Sequence, residues 1–198
     1  MQGHGCMNSK PKIKKKGIGQ LLFKAVIVLV LLVLLIIALF DIFSVAVLSL
    51  GYYFNWSSSM PIGLYEVSAP TDLKRGDTVV VCLPQAVGSE GLRRGYLNPG
   101  HCPGKYSPII KELIATPGDS VTLTPQTIVV NGQGYIAPLQ KTDTEGRPLE
   151  SIPRELNSQT VDYWLYGKGN PTDSWDSRYW GGVGRSSIIK KAAPVLTY

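Results

Sequence analysis

The chain has 198 residues and a formal net charge of +6, with 20 basic and 14 acidic side chains, three cysteines and two histidines. This length allows one membrane segment and one compact domain. The excess positive charge lies in lysines before residue 25, and the charges after Asn55 nearly cancel, which argues against a nucleic-acid-binding surface. The cysteines and histidines match no metal-ligand spacing, so we expect neither a metal nor another cofactor.

Residues 21–54 form an almost wholly apolar run, interrupted by Lys24 and Asp41. About 20 apolar residues suffice for a helix to cross a membrane. The run exceeds the apolar core of a cleaved signal peptide, about 7–15 residues, although cleavage is the alternative to a retained anchor. Because basic residues mark the cytoplasmic end of a membrane helix, we predict a basic cytoplasmic segment at 1–20, a transmembrane and interfacial anchor at 21–54, and an exported domain at 55–198.

Two of the three cysteines fall in the predicted exported domain. Cys82 and Cys102 lie where a disulfide can persist, whereas Cys6 lies on the cytoplasmic side. We therefore expect a Cys82–Cys102 disulfide, which closes a loop of about 20 residues and contributes about 3 kcal/mol in the chain-entropy model. Two unpaired buried thiols are the alternative.

The exported part of the chain has the pattern of short β-strands separated by glycine and proline turns. The predicted strands are 62–67, 78–83, 108–116, 120–123, 127–130, 134–137 and 161–166. Asn131-Gly132 is a strong hairpin signal between two of them. No helical periodicity follows the membrane segment, so we predict an all-β domain with one N-terminal transmembrane helix. Residues 85–106 and 141–157 are predicted to be long loops, and nothing in the sequence assigns a role to the second.

The sequence offers a candidate nucleophile and a candidate base. Ser59 precedes Met60-Pro61 at the predicted start of a strand, where a turn can hold its hydroxyl exposed. A serine at its free pKa is a weak nucleophile and needs a base. Lys111 lies in an apolar strand, and burial can lower a lysine pKa by up to about 3–5 units. The alternatives are His101 as the base, and a surface Lys111 that pairs with Glu112.

Three blocks of the sequence resemble the conserved boxes of type I signal peptidases, which use a Ser/Lys dyad. They are Ser59-Met60-Pro61, Lys111 with Pro117-Gly118-Asp119, and Asp176-Ser177-Arg178-Tyr179-Trp180-Gly181. More narrowly, Met60-Pro61-Ile62-Gly63-Leu64-Tyr65 and Val81-Cys82-Leu83-Pro84 resemble the conjugation-associated TraF branch. Members of that branch process pilin precursors in type IV secretion systems. The resemblance implies the β-fold of signal peptidases for the exported domain.

The resemblance also implies a role for each matching residue. Ser59 is then the nucleophile and Lys111 the general base. The Ser57 side chain and the Ser59 amide would form the oxyanion hole. Three residues near the end of the chain would support the lysine: Ser174, Asp176 and Arg178.

The sequence departs from the family pattern in two places. Glu112 follows the lysine where the family usually has arginine, and residues 167–174 lack the usual Gly-Asp-Asn-Arg core. The second departure favours a specialised enzyme over a general one. In addition, Ser57, Ser58 and Ser59 are consecutive, so the choice of Ser59 depends on the Met-Pro that follows it.

Together these features predict a membrane-anchored serine endopeptidase of the bacterial inner membrane, with a single pass and a periplasmic catalytic domain. The expected partners are the membrane and an exported precursor, in particular a conjugative pilin, which some members of the branch also cyclise. Nucleic acid is not an expected partner. The alternatives are a self-cleaving repressor-type Ser/Lys protease and a catalytically silent scaffold of a conjugative secretion apparatus. The anchor argues against the first, and the presence of both Ser59 and Lys111 argues against the second.

Overall fold

The computed structural model describes residues 16–151, 158–159 and 162–198. Residues 1–15 of the predicted cytoplasmic segment, residues 152–157 of the predicted second loop and Val161 therefore lie outside the described residues. Helix α1 spans Lys16–Ser49. Its stretch Gly19–Ile42 is long and apolar enough to cross a membrane, and its side chains are exposed. This finding agrees with the predicted N-terminal apolar helix.

Residues Leu48–Tyr198 form a separate compact unit that consists mainly of β-strands. The strands in the described part of the chain are β1 (Tyr52–Asn55), β2 (Gly63–Ser68), β3 (Thr78–Val81), β4 (Ile109–Ala115), β5 (Ser120–Leu123), β6 (Thr127–Val130), β7 (Gln133–Ile136), β8 (Ser158–Gln159), β9 (Trp164–Tyr166) and β10 (Ile188–Thr197). They form a six-stranded sheet in the order β1-β2-β10-β3-β4-β9 and a four-stranded sheet in the order β7-β6-β5-β8. Every named strand pair is antiparallel. The predicted β-fold with one N-terminal apolar helix is confirmed, although the unit that was predicted to be all-β also contains short helices.

The six-stranded sheet contains two strands that the sequence did not predict. β1 pairs with β2, so the sheet begins before residue 55 and includes part of the segment that we assigned to the anchor. β10 lies between β2 and β3. Its pairing with β2 is irregular between Pro194 and Leu196. A bulge tolerates proline because the residue there does not have to donate a ladder hydrogen bond.

The prediction that residues 85–106 are a loop is wrong for its first half. Helix α2 spans Gln85–Arg93, and two short helical turns follow near the end of the chain, α3 (Ser177–Trp180) and a 3-10 turn at Arg185–Ser187. The glycines that suggested a loop serve packing instead. A Cβ atom on Gly88 would lie 2.1 Å from the ring of Tyr106, so only glycine lets the aromatic ring pack this closely.

Three apolar clusters lie in the described part of the compact unit, and each contains a residue of β4. The first includes Leu113 and Tyr106, the second includes Ile114, and the third includes Ile110 with Met60, next to the serine turn. The predicted disulfide between Cys82 and Cys102 is confirmed, with the Cα atoms 5.5 Å apart. It links the end of β3 to the segment that precedes β4, which helps to position the strand that carries Lys111.

Candidate active site

The serine turn follows directly after the edge strand β1 and is organised by Asn55. The Asn55 side-chain amide, which is 2 % exposed, donates hydrogen bonds to the backbone carbonyls of Ser57, Met60 and Pro61 at 2.9, 3.1 and 3.0 Å. Its Oδ1 accepts the Ser57 amide at 3.0 Å. Four hydrogen bonds from one buried side chain hold the whole turn in a single conformation. Sequence reasoning did not identify Asn55, although a polar residue between an aromatic strand and a serine run was a usable signal.

Within this turn, the structure brings together Ser57 and Ser59. Their hydroxyl oxygens are 2.9 Å apart, and the Ser59 amide donates to Ser57 Oγ at 3.3 Å. Ser59 is 7 % exposed, whereas Ser57 and Ser58 are exposed. The turn therefore brings three polar groups close together: the Ser59 amide, the Ser57 hydroxyl and the Ser59 hydroxyl.

Lys111 lies in the middle of β4, opposite Val79 of β3, and only 4 % of it is exposed. Its Nζ donates to Ser174 Oγ at 3.0 Å. Burial lowers the pKa of the Lys111 ammonium from 10.5 to about 8; Asp176 opposes this shift, Arg178 reinforces it and Asp173 opposes it. The alternative of a surface ion pair with Glu112 does not occur, because the Glu112 carboxylate pairs with Lys168 at 2.7 Å.

Asp176 and Arg178 form a fully buried ion pair beneath the lysine. Arg178 Nε and one terminal nitrogen donate to the two carboxylate oxygens at 2.7 and 3.0 Å, and both side chains have no exposed surface. Arg178 also donates to the backbone carbonyls of Ser174 and Pro138, each at 2.7 Å. Asp176 accepts the Gly167 amide at 3.1 Å. The pair therefore holds the backbone at Ser174, Pro138 and Gly167, and the Ser174 hydroxyl accepts from the lysine amine.

Two glycines allow the segment after β9 to approach the serine turn. A Cβ atom on Gly167 would lie 2.0 Å from Ser174 Oγ, and one on Gly169 would lie 2.6 Å from the Ser58 carbonyl oxygen. The Gly169 amide donates to the Ser59 carbonyl at 2.9 Å. Sequence reasoning did not identify either residue, although a Gly-x-Gly pattern that precedes the Asp-Ser-Arg block was visible.

One cleft of about 1150 Å³ contains the serine turn, Lys111 and Ser174. Asn55 and Trp56 line it on the side of β1, and residues of the 140–149 segment line it as well. His101, the alternative base, also lines the cleft, but it makes no hydrogen bond to Ser59 within the described residues. Asp176 and Arg178 lie behind the cleft and not in its lining.

The structure places the Ser59 and Lys111 side chains in the same cleft without a direct hydrogen bond between them. In the described part of the chain, the Ser59 hydroxyl bonds to Ser57 and the Lys111 amine to Ser174. Serine and lysine side chains that face one cleft, with a lowered lysine pKa, have the properties of a nucleophile and a general base. The described residues contain no group of three or more side chains that could hold a metal ion.

Comparisons with known proteins identify the family of the chain. Residues 20–197 match the family model of signal peptidase, peptidase S26. The plasmid transfer protein TraF of Escherichia coli is 38% identical over 149 residues, which cover 73% of this chain and 82% of that protein. The conjugal transfer protein TraF of Agrobacterium fabrum is 32% identical over 150 residues, 75% of this chain and 84% of that protein.

Among solved structures, the signal peptidase I of Enterococcus faecalis V583 is 20% identical and covers 61% of this chain and 96% of its own. Its TM-score is 0.35, which is too low for this similarity to carry an argument. The family of the chain is shown by the family model and by the two TraF relatives. The chain therefore belongs to the signal peptidase family, peptidase S26, on its TraF-like branch.

Proposed function

We propose that this protein is a serine endopeptidase that uses Ser59 as nucleophile and Lys111 as general base. The observation that carries the proposal is the buried Lys111 amine, which faces the same cleft as Ser59 and has a pKa lowered to about 8. At about pH 7.5, roughly a quarter of such amines are neutral, against about one in a thousand for an unperturbed lysine. A neutral amine can accept the proton of the serine hydroxyl.

In the proposed reaction, Ser59 Oγ attacks the carbonyl carbon of the scissile peptide bond while Lys111 Nζ takes the hydroxyl proton. The C–N bond then breaks, and the lysine returns the proton to the leaving amine. A water molecule, deprotonated by the same lysine, then attacks the acyl carbon, the bond from that carbon to Ser59 Oγ breaks, and the lysine returns the proton to Ser59 Oγ. Ser174 holds the amine in place through its hydrogen bond to Nζ.

The Ser57 hydroxyl and the Ser59 amide are the proposed donors to the oxyanion. In the unbound protein they bond to each other, at 3.3 Å from the Ser59 nitrogen to Ser57 Oγ. A substrate carbonyl would replace this internal bond, and each such donor is worth about 3–4 kcal/mol in the transition state. The same exchange would release the Ser59 hydroxyl from Ser57, so that it turns towards Lys111.

The substrate is proposed from the names of the relatives. Those relatives are plasmid and conjugal transfer proteins, and we infer that this chain processes an exported precursor of a conjugative apparatus, with a pilin as the first candidate. The apolar stretch Gly19–Ile42 would anchor the enzyme in the bacterial inner membrane with the β-unit in the periplasm. Cleavage would then take place close to the membrane surface.

Processing of a conjugative pilin precursor in membranes that contain the full-length protein tests the proposal. We expect Ser59→Ala and Lys111→Ala to lower the cleavage rate by about 10³-fold or more, since dyad members act as a unit. Ser57→Ala should lower it by about 10²–10³-fold. Ser58→Ala is the matched control, because Ser58 is exposed in the same turn and has neither role. Cleavage that survives Ser59→Ala but is lost in Ser57→Ala or Ser58→Ala would overturn Ser59 as the nucleophile, and cleavage at the wild-type rate in all of these serine and lysine variants would overturn the peptidase assignment and favour a silent scaffold.

Gly167→Ala tests the positioning of the lysine separately from the chemistry. The added Cβ would lie 2.0 Å from Ser174 Oγ, so Ser174 must move away from the Lys111 amine. We expect cleavage to fall by about 10²-fold, since a displacement of about 1 Å costs that much. Gly184→Ala is the control, because nothing lies within 4 Å of its Cβ position. The proposal for Ser174 fails if both variants cleave the precursor at the wild-type rate.

A further inference from the structure

The cleft contains two carboxylates among the described residues that line it, and they differ in their surroundings. Asp143 is committed within the protein: its Oδ2 is 2.6 Å from Arg147 Nε and accepts the Tyr96 hydroxyl at 2.6 Å. Its side chain is only 5% exposed, and Arg94 lies 3.9 Å away. The charge of Asp143 is therefore offset by two arginines and is not available to a ligand.

Asp173 has the opposite character. It is exposed to the cleft, and its carboxylate has no ion pair or hydrogen bond with the described residues. The cation on the same segment, Lys168, is already paired with Glu112 at 2.7 Å. Lys111, which lines the same cleft, donates to Ser174 and not to Asp173, and a carboxylate without an ion-pair partner in a binding cleft can select a positively charged ligand.

The backbone that carries Asp173 is held in place. The Asp173 amide donates to the Asn170 carbonyl at 3.3 Å, and the Gly169 amide donates to the Ser59 carbonyl at 2.9 Å. The next residue, Ser174, is 3% exposed and bonds to Lys111. The Asp173 backbone is therefore held in place one residue away from Ser174, which bonds to the Lys111 amine.

The position of Asp173 brings its charge within electrostatic reach of the reaction. Its carboxylate raises the pKa of Lys111, against the larger effect of burial. Lys111 cannot serve as the permanent partner of Asp173, because it must be neutral to act as a base. A positively charged group of a bound substrate can therefore pair with Asp173.

We propose that Asp173 binds a cationic nitrogen group of the polypeptide substrate, supplied by a basic side chain or by a free N-terminal amine close to the scissile bond. This proposal rests on the proposed function, since it assigns a substrate preference to the same cleft. Apart from Asp173, the ionisable acidic and basic residues of the lining are Asp143, Lys111 and His101, and the remaining groups, such as Gln140, Thr142 and Ile110, are uncharged. Because two arginines offset the charge of Asp143, Asp173 is the carboxylate of the lining that is available to a positively charged ligand.

The test is a binding measurement that does not require cleavage. The probes are fluorescein-labelled, alanine-rich peptides. At each successive position, one peptide carries a lysine and its counterpart carries norleucine, an uncharged residue of similar length. Every peptide is made with a free and with an acetylated N-terminus. Their affinities for the full-length Ser59→Ala protein in a neutral detergent are measured by anisotropy. We expect one lysine position, or the free N-terminus, to tighten binding by about three- to fivefold over its uncharged counterpart. In Ser59→Ala/Asp173→Asn this ratio should fall to about one.

Two comparisons keep the result specific. Asp72→Asn removes the same charge from an exposed residue outside the cleft, and it should leave the ratio unchanged. The position scan separates a basic side chain from an N-terminal amine. A ratio that persists in Asp173→Asn, equal binding of charged and uncharged peptides, or no binding by any peptide would overturn the proposal. The peptidase assignment is decided separately, by the dependence of precursor cleavage on Ser59.

Discussion

Replacing Arg178 with methionine is expected to lower the free energy of unfolding by about 3–5 kcal/mol, because it leaves the Asp176 carboxylate buried without its counter-charge. Neither side chain of the pair has any exposed surface. The substitution also removes the hydrogen bonds that the guanidinium donates to the Ser174 and Pro138 carbonyls. Chemical unfolding of the full-length protein in detergent, followed by tryptophan fluorescence, measures the loss. All four tryptophans lie in the compact unit Leu48–Tyr198, so the signal reports on that unit.

Arg93→Met provides the matched control for this prediction. Arg93 pairs with Glu90 at 2.6 Å, but its side chain is 67% exposed, so water and salt already screen the pair. We expect that substitution to lower the free energy of unfolding much less than Arg178→Met does. Asp176→Asn/Arg178→Met should be more stable than Arg178→Met alone, since it removes the orphaned charge. If Arg178→Met and Arg93→Met lose the same amount, the buried pair does not have the structural role that we assign to it.

Replacing Lys111 with methionine should abolish cleavage and at the same time stabilise the protein. The pKa of Lys111 is lowered from 10.5 to about 8, mainly by burial, so keeping the ammonium in the folded state costs about 3 kcal/mol at neutral pH. Methionine has a similar length and carries no charge. After allowance for the lost hydrogen bond to Ser174, worth about 1 kcal/mol, we expect a gain of about 1–3 kcal/mol at pH 7.

The pH dependence of stability distinguishes this cause from a general packing effect. Between about pH 8 and 10.5, the unfolded chain retains the Lys111 proton that the folded protein has already released. Wild-type stability should therefore rise with pH across this window, and the advantage of Lys111→Met should shrink towards its end. Below pH 8 both states hold the proton, and the difference should be constant. Lys190→Met, at an exposed position of β10, is the control that should show neither effect.

A more stable and inactive Lys111→Met protein would mean that the site is maintained at the expense of stability. Burial of an amine is unfavourable for folding, yet it lowers the pKa into the range where a lysine can act as a base. A Lys111→Met protein that is less stable than wild type at pH 7 would contradict this account. It would indicate that the lysine is held mainly by favourable contacts.

The sequence predicted best those strands in which apolar and polar side chains alternate or all side chains are apolar. β5 and β6 begin and end at the predicted residues, because each follows a clear turn signal and carries β-branched residues. The sequence was misleading for α2 and β10. In α2 the glycines suggested a loop, but Gly88 packs against Tyr106, which lies 18 positions further along the chain. In β10 the lysines and Pro194 obscured a strand that is defined by its two neighbours.

The candidate residues for the chemistry came from the sequence: a serine before Met-Pro, an apolar strand with one lysine, and an Asp-Ser-Arg block near the end of the chain. The local order of residues encodes the β-strands, the apolar helix and the choice of candidates, because these depend on neighbours along the chain. Tertiary structure alone decided that Lys111 is buried beside Ser174, that Asn55 holds the serine turn, and that Gly167 leaves room for both. Burial, and with it the pKa of the lysine, depends on which distant segments pack against a residue, and that information is not local to any stretch of sequence.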